Sequence, residues 1–412
     1  MSIGSLEIYA AVVFTALGAI GAAFAFYYVV VAIASFFYRG YPHEARAVRP
    51  GTRVAVLVPA HDEAALIARC VRSLVAQVYP SYLYDVIVVA DNCTDDTASI
   101  ARSAGAETFV RDEPGARGKG RALRWLINQV LQRPMPPDAV VVVDADAVAD
   151  PDFLAALVRP FESGARAVQG ESLLAEDGSP AASLRAAAFL LFNRVRPAGR
   201  SVLRLPCDLT GNGMLLSSEL LRAYPWDAFT SAEDLEYTFN LRIAGVRAVF
   251  AGGAILHSPS APSAEAATHQ QLRWEGGKLH VAKKQLPRLV REGLLRRRDR
   301  RLLGAAFDLA VPPLGLLSAG AVAATVVGVP LVVLGALPTW SLGTWLGTLV
   351  AIPLYVLLGL RAARAPRSAY RSLARAPWYV VRKVLNVHRL LKFDADTWVR
   401  TDRGGHQSKS RV

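Results

Sequence analysis

Residues 53–63 read RVAVLVPAHDE, from Arg53 to Glu63. The run Arg53 to Val58 is short, Val-rich and almost uninterrupted, the pattern of a strand buried on both faces. It ends at Pro59, with His61, Asp62 and Glu63 directly beyond. Glu63 to Gln77 then carries apolar residues at Ala65, Leu66, Cys70, Leu74 and Val75, which is helical spacing. Asp85 to Ala90 is a second strand, closed by Asp91. The alternation of Val-rich runs with helical patterns continues to about His257 and predicts an α/β domain with a mostly parallel sheet. In open sheets of this kind ligands bind beyond the carboxyl ends of the strands. Pro59 to Glu63, Asp91 to Thr94 and Asp144 to Asp146 are therefore expected to line one crevice.

Asp144-Ala145-Asp146 follows the apolar run Ala139 to Val143. Two carboxylates at a strand end suit a hard divalent cation such as Mg2+ or Mn2+, which commonly keeps one or two carboxylates plus substrate phosphates as ligands. A bare D-x-D is more often a solvated turn or a cap, and it is the strand that favours the metal here. Asp150 and Asp152 read as caps on a helix beginning near Pro151. Gly115, Gly118, Lys119 and Gly120 precede a helix running toward Leu131, where backbone amides and a lysine favour an anion; a flexible loop with a stray lysine is the plain alternative. The Walker A pattern is missing, which disfavours a P-loop enzyme. Glu233 and Asp234 open a helical run to Ala244. One acid there would cap the helix; two exceed that need, and a carboxylate so held could take a proton from an attacking hydroxyl. Gln270, Arg273 and Trp274, in the run QQLRW, supply a planar cation and a flat ring suited to a diphosphate and a sugar face. An interfacial Arg-Trp pair beside a membrane would look the same.

The chain of 412 residues is 52% hydrophobic, with the apolar residues concentrated toward its two ends. Ile8 to Phe37 holds no charged residue and is long enough to span a bilayer; no basic segment or clear cleavage site marks it as a secretory leader. Leu314 to Leu337 and Leu342 to Leu360 read as a helical hairpin turning at Pro338 to Ser341. Arg39, Arg46 and Arg49, the arginines from Arg288 to Arg301, and Arg361, Arg364, Arg367 and Arg371 flank these spans on one side. They place the N-terminus outside, and the middle of the chain and its tail in the cytosol. The net charge of +13, from 47 basic and 34 acidic residues, lies beside the spans, where it suits an anionic leaflet better than nucleic acid. Cys70, Cys93 and Cys207 show no metal-binding spacing and fit reduced thiols. Trp378 to Leu391 reads as a basic amphipathic helix. The expected organisation is a spanning helix and linker over 1–50, a catalytic domain over 51–260, the Q-x-x-R-W segment with basic interfacial helices over 261–303, the hairpin over 304–362 and a basic tail over 363–412.

The ordered set Val58-Pro59-Ala60-His61-Asp62-Glu63, Asp91 to Thr97, Gly118-Lys119-Gly120, Asp144-x-Asp146, Glu233-Asp234 and Gln270-x-x-Arg273-Trp274 resembles the membrane-integrated family 2 glycosyltransferases, which include cellulose, chitin and hyaluronan synthases. The resemblance covers residues 53–275 and implies a GT-A fold, with Pro59, Asp62, Glu63 and Asp91 at the nucleoside and Lys119 at the diphosphate. It implies Asp144 and Asp146 at the nucleotide and its Mn2+ or Mg2+, and Asp234, beside Glu233, as general base. Gln270, Arg273 and Trp274 would hold the diphosphate, a UDP-sugar being the expected donor, and frame a glycan or lipid acceptor. Transfer would proceed by single displacement with inversion at the inner (plasma) membrane. Two readings follow: extension of an exported polysaccharide, with an export or assembly partner, or transfer of one sugar to a lipid. A silent scaffold that retains the fold is a remote third. Asn92 departs from the second aspartate of many relatives, and Gly211-Asn212-Gly213-Met214 occupies the acceptor-loop position. His257 is left out of the metal set as a structural histidine. Trp398 to Arg403 resembles a W-x-x-T-x-R tail.

Overall fold

The structure, a computed structural model, describes residues 3–40, 51–175, 180–261 and 263–391. Among them the chain forms two compact units. Residues 39–40, 51–175, 205–261 and 263–306 build one, and residues 3–38, 180–204 and 307–391 the other.

The first unit is organised by eight strands: β1 (Val54–Ala60), β2 (Tyr84–Asp91), β3 (Glu107–Arg111), β4 (Ala139–Val142), β5 (Val148–Ala149), β6 (Ala167–Leu174), β7 (Met214–Ser217) and β8 (Ala248–Ser258). They form one sheet in the order β3-β2-β1-β4-β7-β6-β8-β5. β1, β2, β3 and β4 run parallel, and the Val-rich runs of β1, β2 and β4 are almost wholly buried. β7 is antiparallel to both β4 and β6, and β5 to β8, so the sheet is mixed beyond β4. The register pairs Ala60 with Ala90 and Leu57 with Val142, so Asp62, Asp91 and Asp144 all emerge at the same edge. Helices Ile67–Val75 and Phe153–Glu162 pack their apolar faces over the sheet through Ile67, Cys70, Leu74, Phe153 and Leu157, all fully buried. The helix expected from Glu63 begins in regular form only at Ile67. Its first turn is held by the Glu63 carbonyl, which accepts from the N–H groups of Leu66 and Ile67. Asp152 stands at the N-cap of Phe153–Glu162, yet its side chain makes no capping bond, and Asp150 instead pairs with His257 at 3.1 Å. Both acids therefore depart from the capping role expected of them.

The second unit is helical. Ile8–Ser35, Leu314–Val333 and Thr339–Ala362 are each long and apolar enough to cross a membrane. The N-terminal helix lies against Gly343–Ala362, where the Trp345 Nε1–H donates to the Phe14 carbonyl at 3.1 Å. Residues 180–204 belong to this unit, which interrupts the continuous 51–260 domain expected from sequence. Packing explains the excursion: Ala187, Leu191 and Val195 are buried with Tyr28, Ala32 and Tyr355. Arg196 and Arg200, also buried, both bind the Asp308 carboxylate, so the charges that enter this apolar unit enter as a hydrogen-bonded cluster. Helix Ala376–Leu391 leaves Trp378, Val381 and Leu385 exposed beside Arg382 and Lys383, in line with the amphipathic reading. Arg46, Arg49 and the W-x-x-T-x-R motif lie outside the described residues.

Candidate active site

Two constellations sit at the carboxyl edge of the sheet. The first surrounds the ends of β1 and β2. Asp62 and Asn92 both adopt left-handed backbone, with φ of 51° each, so the chain turns sharply off two neighbouring parallel strands. Aspartate and asparagine tolerate this region better than other residues with a Cβ, so the backbone accepts either at position 92. Its side chain is buried and its Oδ1 accepts from the Glu113 N–H at 2.9 Å. The Asp62 carboxylate accepts from the Thr94 N–H at 2.6 Å, and the Glu63 N–H donates to Thr97 Oγ1 at 2.7 Å. The Asp91 carboxylate is buried against Arg111, whose guanidinium also reaches Glu113 at 2.7 Å and the Ala116 carbonyl at 3.0 Å. Pro59 lies half-buried as the penultimate residue of β1. Sequence reading passed over Arg111, whose partner Asp91 lies on the neighbouring strand β2.

The second constellation gathers Lys119, Asp144, Glu233 and Asp234. Lys119 opens helix Lys119–Leu131, and its Nζ donates to Asp144 Oδ1 at 2.6 Å and to the Gly211 carbonyl at 2.8 Å, with Glu233 Oε1 at 3.8 Å. Burial opposes the charge on Lys119, but Asp144, Glu233 and Asp234 outweigh it and hold the ammonium above the usual lysine range. Glu233 and Asp234 begin helix Glu233–Ile243. Burial, and after it the Glu233 carboxylate, push the Asp234 carboxyl up to about 7 against the pull of Lys119 and of the Leu235 N–H. A carboxyl tuned to this range is matched to proton transfer at neutral pH.

Backbone geometry holds the set together. Gly211 has φ +72°, and a Cβ there would lie 3.1 Å from both Asp234 Oδ2 and Lys119 Nζ, so glycine lets the loop pass between the two side chains. The next residue, Asn212, is buried, and its Oδ1 accepts from the Asp144 N–H at 3.0 Å. Gln169 on β6 clasps the same loop, donating to the Asn212 carbonyl at 2.8 Å and accepting from the Thr210 N–H at 2.9 Å. Asn212, in the expected acceptor loop, and Gln169, which sequence reading did not single out, therefore fix the D-x-D loop against the glycine loop. Asp146 stands half-buried two residues beyond Asp144, and with it lies near enough to Cys70 to raise that thiol, after the larger effect of burial.

Gln270, Arg273 and Trp274 lie on one helix, Ala264–Arg291, rather than on a loop. Gly277, one turn further on, lets that helix press against the residue before the acid pair: a Cβ there would lie 2.7 Å from the Ala232 Cβ. Lys284 bound to Glu236 at 2.7 Å and Gln285 to Asn240 at 3.0 Å continue the seam. Gln270 and Arg273 are half-buried and Trp274 is 45% exposed. His257 keeps to its structural role beside Asp150.

Residues 50–277 match the family described as Glycosyltransferase like family 2. The chain is 30% identical over 242 residues to a beta-monoglucosyldiacylglycerol synthase from Synechocystis sp., covering 55% of this chain and 48% of the relative. It is 31% identical over 111 residues to a low-salt glycan biosynthesis hexosyltransferase from Haloferax volcanii, covering 27% of this chain and 25% of the relative. The chain thus spans at most about half the length of these curated relatives. Among solved structures, a mannosyltransferase from Pyrobaculum calidifontis in complex with GDP-Man and Mn2+ aligns over 90% of this chain and 99% of that chain, at 19% identity and a TM-score of 0.49. The stretch that matches the family runs from just before β1 to the glycine that seats Ala264–Arg291 on Ala232, more than half of the chain, and the chain belongs to glycosyltransferase family 2.

Proposed function

We propose that the protein is an inverting glycosyltransferase that moves a sugar from a nucleoside diphosphate donor to a hydroxyl of a membrane lipid. The observation that carries the reading is the acid pair Glu233-Asp234 locked to Lys119, Asp144 and the Gly211 loop, with the Asp234 carboxyl pushed up to about 7. In this reading Asp234 takes the acceptor hydroxyl proton as the oxygen attacks the anomeric carbon. The bond from that carbon to the diphosphate oxygen breaks, and its electron pair leaves with the nucleoside diphosphate. Attack opposite the leaving group inverts the centre.

Asp144 and Asp146 would hold a Mn2+ or Mg2+ ion: they are oxygen donors at a strand end, and the Asp144 side chain is 36% exposed and open to a further ligand. Such an ion, when bound, neutralises charge developing on the leaving diphosphate. Lys119 and Arg273 add fixed positive charge toward the same group. Pro59, Asp62, Glu63 and Asp91 would form the nucleoside pocket, with Arg111 holding Asp91 in place, and Gln270 and Trp274 would frame donor and acceptor. A UDP-sugar remains the expected donor. The arginine pattern supports a multi-pass protein of the inner (plasma) membrane with its catalytic unit in the cytosol.

A lipid acceptor is favoured by the diacylglycerol glycosyl synthase relatives and by the three helices apolar enough to cross a bilayer. Extension of an exported polysaccharide, with an export or assembly partner, is the second reading, supported by the Gln270, Arg273 and Trp274 helix. Purified protein in lipid, given radiolabelled nucleotide sugars and Mn2+, tests both. Label in an organic-soluble product of one added sugar supports the first reading, label in a long polymer supports the second, and no transfer from any donor refutes both.

A further inference from the structure

The end of β1 and the start of the β2 loop bring three different metal-binding side chains together. Ligating atoms of His61, Asp62 and Cys93 all lie within 4.8 Å of one another, and His61 Nε2 stands 3.8 Å from Asp62 Oδ2. A tetrahedral zinc ion with nitrogen, oxygen and sulfur ligands needs donors roughly 3.3–3.8 Å apart, so a small closure suffices. His61 Nδ1 lies 2.7 Å from the Asp91 carbonyl oxygen, which can only accept. Nδ1 therefore carries the ring proton and Nε2 presents a lone pair. A backbone carbonyl on the far nitrogen is the arrangement that orients histidine ligands in metal sites. The Thr94 N–H holds Asp62 through Oδ1, and Oδ2, which accepts from the Thr94 hydroxyl at 3.3 Å, stands 3.8 Å from His61 Nε2. None of the three is fully buried, so a solvated ion can reach them.

We infer that His61, Asp62 and Cys93 form a second cation site, selective for a thiophilic divalent ion such as Zn2+, whose occupation closes the nucleoside pocket to the donor. The second half rests on the proposed function, which places the nucleoside at Asp62. Ligand softness separates this site from the D-x-D pair: nitrogen and sulfur donors select Zn2+, whereas the oxygen donors Asp144 and Asp146 suit Mg2+ and Mn2+. Binding converts the Cys93 thiol to a thiolate and releases its proton to solvent. Cys70 and Cys207 are buried and stand outside the cluster.

Cobalt reports the site directly. Full-length protein in lipid nanodiscs, kept in millimolar Mg2+, is titrated with Co2+ and watched for the thiolate-to-cobalt charge-transfer band, which Zn2+ then displaces. A band at one equivalent, absent in Cys93→Ser and shifted to roughly 100-fold weaker Zn2+ binding in His61→Ala, supports the site. A band that persists in Cys93→Ser, or no band in the wild type, overturns it, and His61→Ala keeps the test decisive if the cysteine variant does not fold. Addition of UDP should weaken Zn2+ binding. Zinc binding that UDP does not affect refutes the donor-blocking half, while the sugar-transfer assay judges the proposed function separately.

Discussion

Replacing Asp234 with asparagine should stabilise the metal-free protein, and by more at pH 8 than at pH 5. The carboxyl moves from 3.8 to about 7 in the native state, chiefly through burial and the nearby Glu233. Between those values the native state binds more protons than the unfolded chain, so stability falls as pH rises through the window and the deficit is complete above about 7. At 1.36 kcal/mol for each tenfold change, the ionised carboxylate costs up to about 4 kcal/mol at pH 8. Asparagine keeps the shape and carries no charge at either pH. Urea unfolding of both proteins in EDTA, at pH 5 and pH 8, measures the difference. A gain larger at pH 8 than at pH 5 by about 2–3 kcal/mol supports the reasoning; a pH-independent difference, or a loss at pH 8, refutes it.

The same substitution should abolish transfer, since a positioned base contributes on the order of 10²–10⁴-fold. A variant that is more stable and inactive separates the base from a structural acid, because losing a merely structural carboxylate would lower both quantities. In the wild type, a base with its carboxyl at about 7 implies that kcat/KM falls about tenfold between pH 8 and pH 6. Glu233→Gln removes one of the two causes that raise Asp234 most and should move that acidic limb to lower pH.

Arg111→Met leaves the buried Asp91 carboxylate without its guanidinium and should destabilise the sheet unit by about 3–5 kcal/mol, read by urea unfolding; a loss under 1 kcal/mol would mean Asp91 finds another partner. Gly211→Ala places a Cβ where φ is +72° and against Asp234 and Lys119, so it should cost about 1–3 kcal/mol and lower kcat more than donor affinity. Arg273→Lys keeps the charge but loses the planar fork, and should raise the donor KM about tenfold with the fold intact by circular dichroism. An unchanged KM would remove Arg273 from the diphosphate.

Local patterns were legible where one element carries its own information. The buried strand β1 with acids beyond it, Lys119 at a helix start and the Glu233-Asp234 helix terminus all follow from periodicity and end chemistry within a dozen residues. The hidden features depend on which segments meet. Nothing local to Gln169 says that β6 will lie beside β7 and clasp the loop before it, and nothing local to Arg111 says that β3 will lie beside the strand that ends in Asp91. Residues 180–204 escaped for the same reason: short amphipathic helices look alike whether they cover a sheet or pack among apolar helices, and Leu191 against Tyr355 is decided by tertiary packing. Asp152 read as a cap from its position alone, whereas capping needs an oxygen aimed at an N–H, and it has none.

The polymer and lipid readings share every residue that handles the donor, so the difference between them must lie where the acceptor enters. On the proposed reading that side is formed by the Gly211 loop and the Ala264–Arg291 helix, both positioned by glycines that let backbone approach Asp234 and Ala232. A glycosyl acceptor that grows needs a surface on which the last sugar can stack, and the 45% exposed ring of Trp274 provides one. A single lipid acceptor needs only its hydroxyl beside Asp234 and its tails in the bilayer. Trp274→Ala therefore divides the readings: it should abolish elongation if the product is a polymer, and lower transfer to a lipid only a few-fold, with the product assay of the wild type fixing which comparison applies.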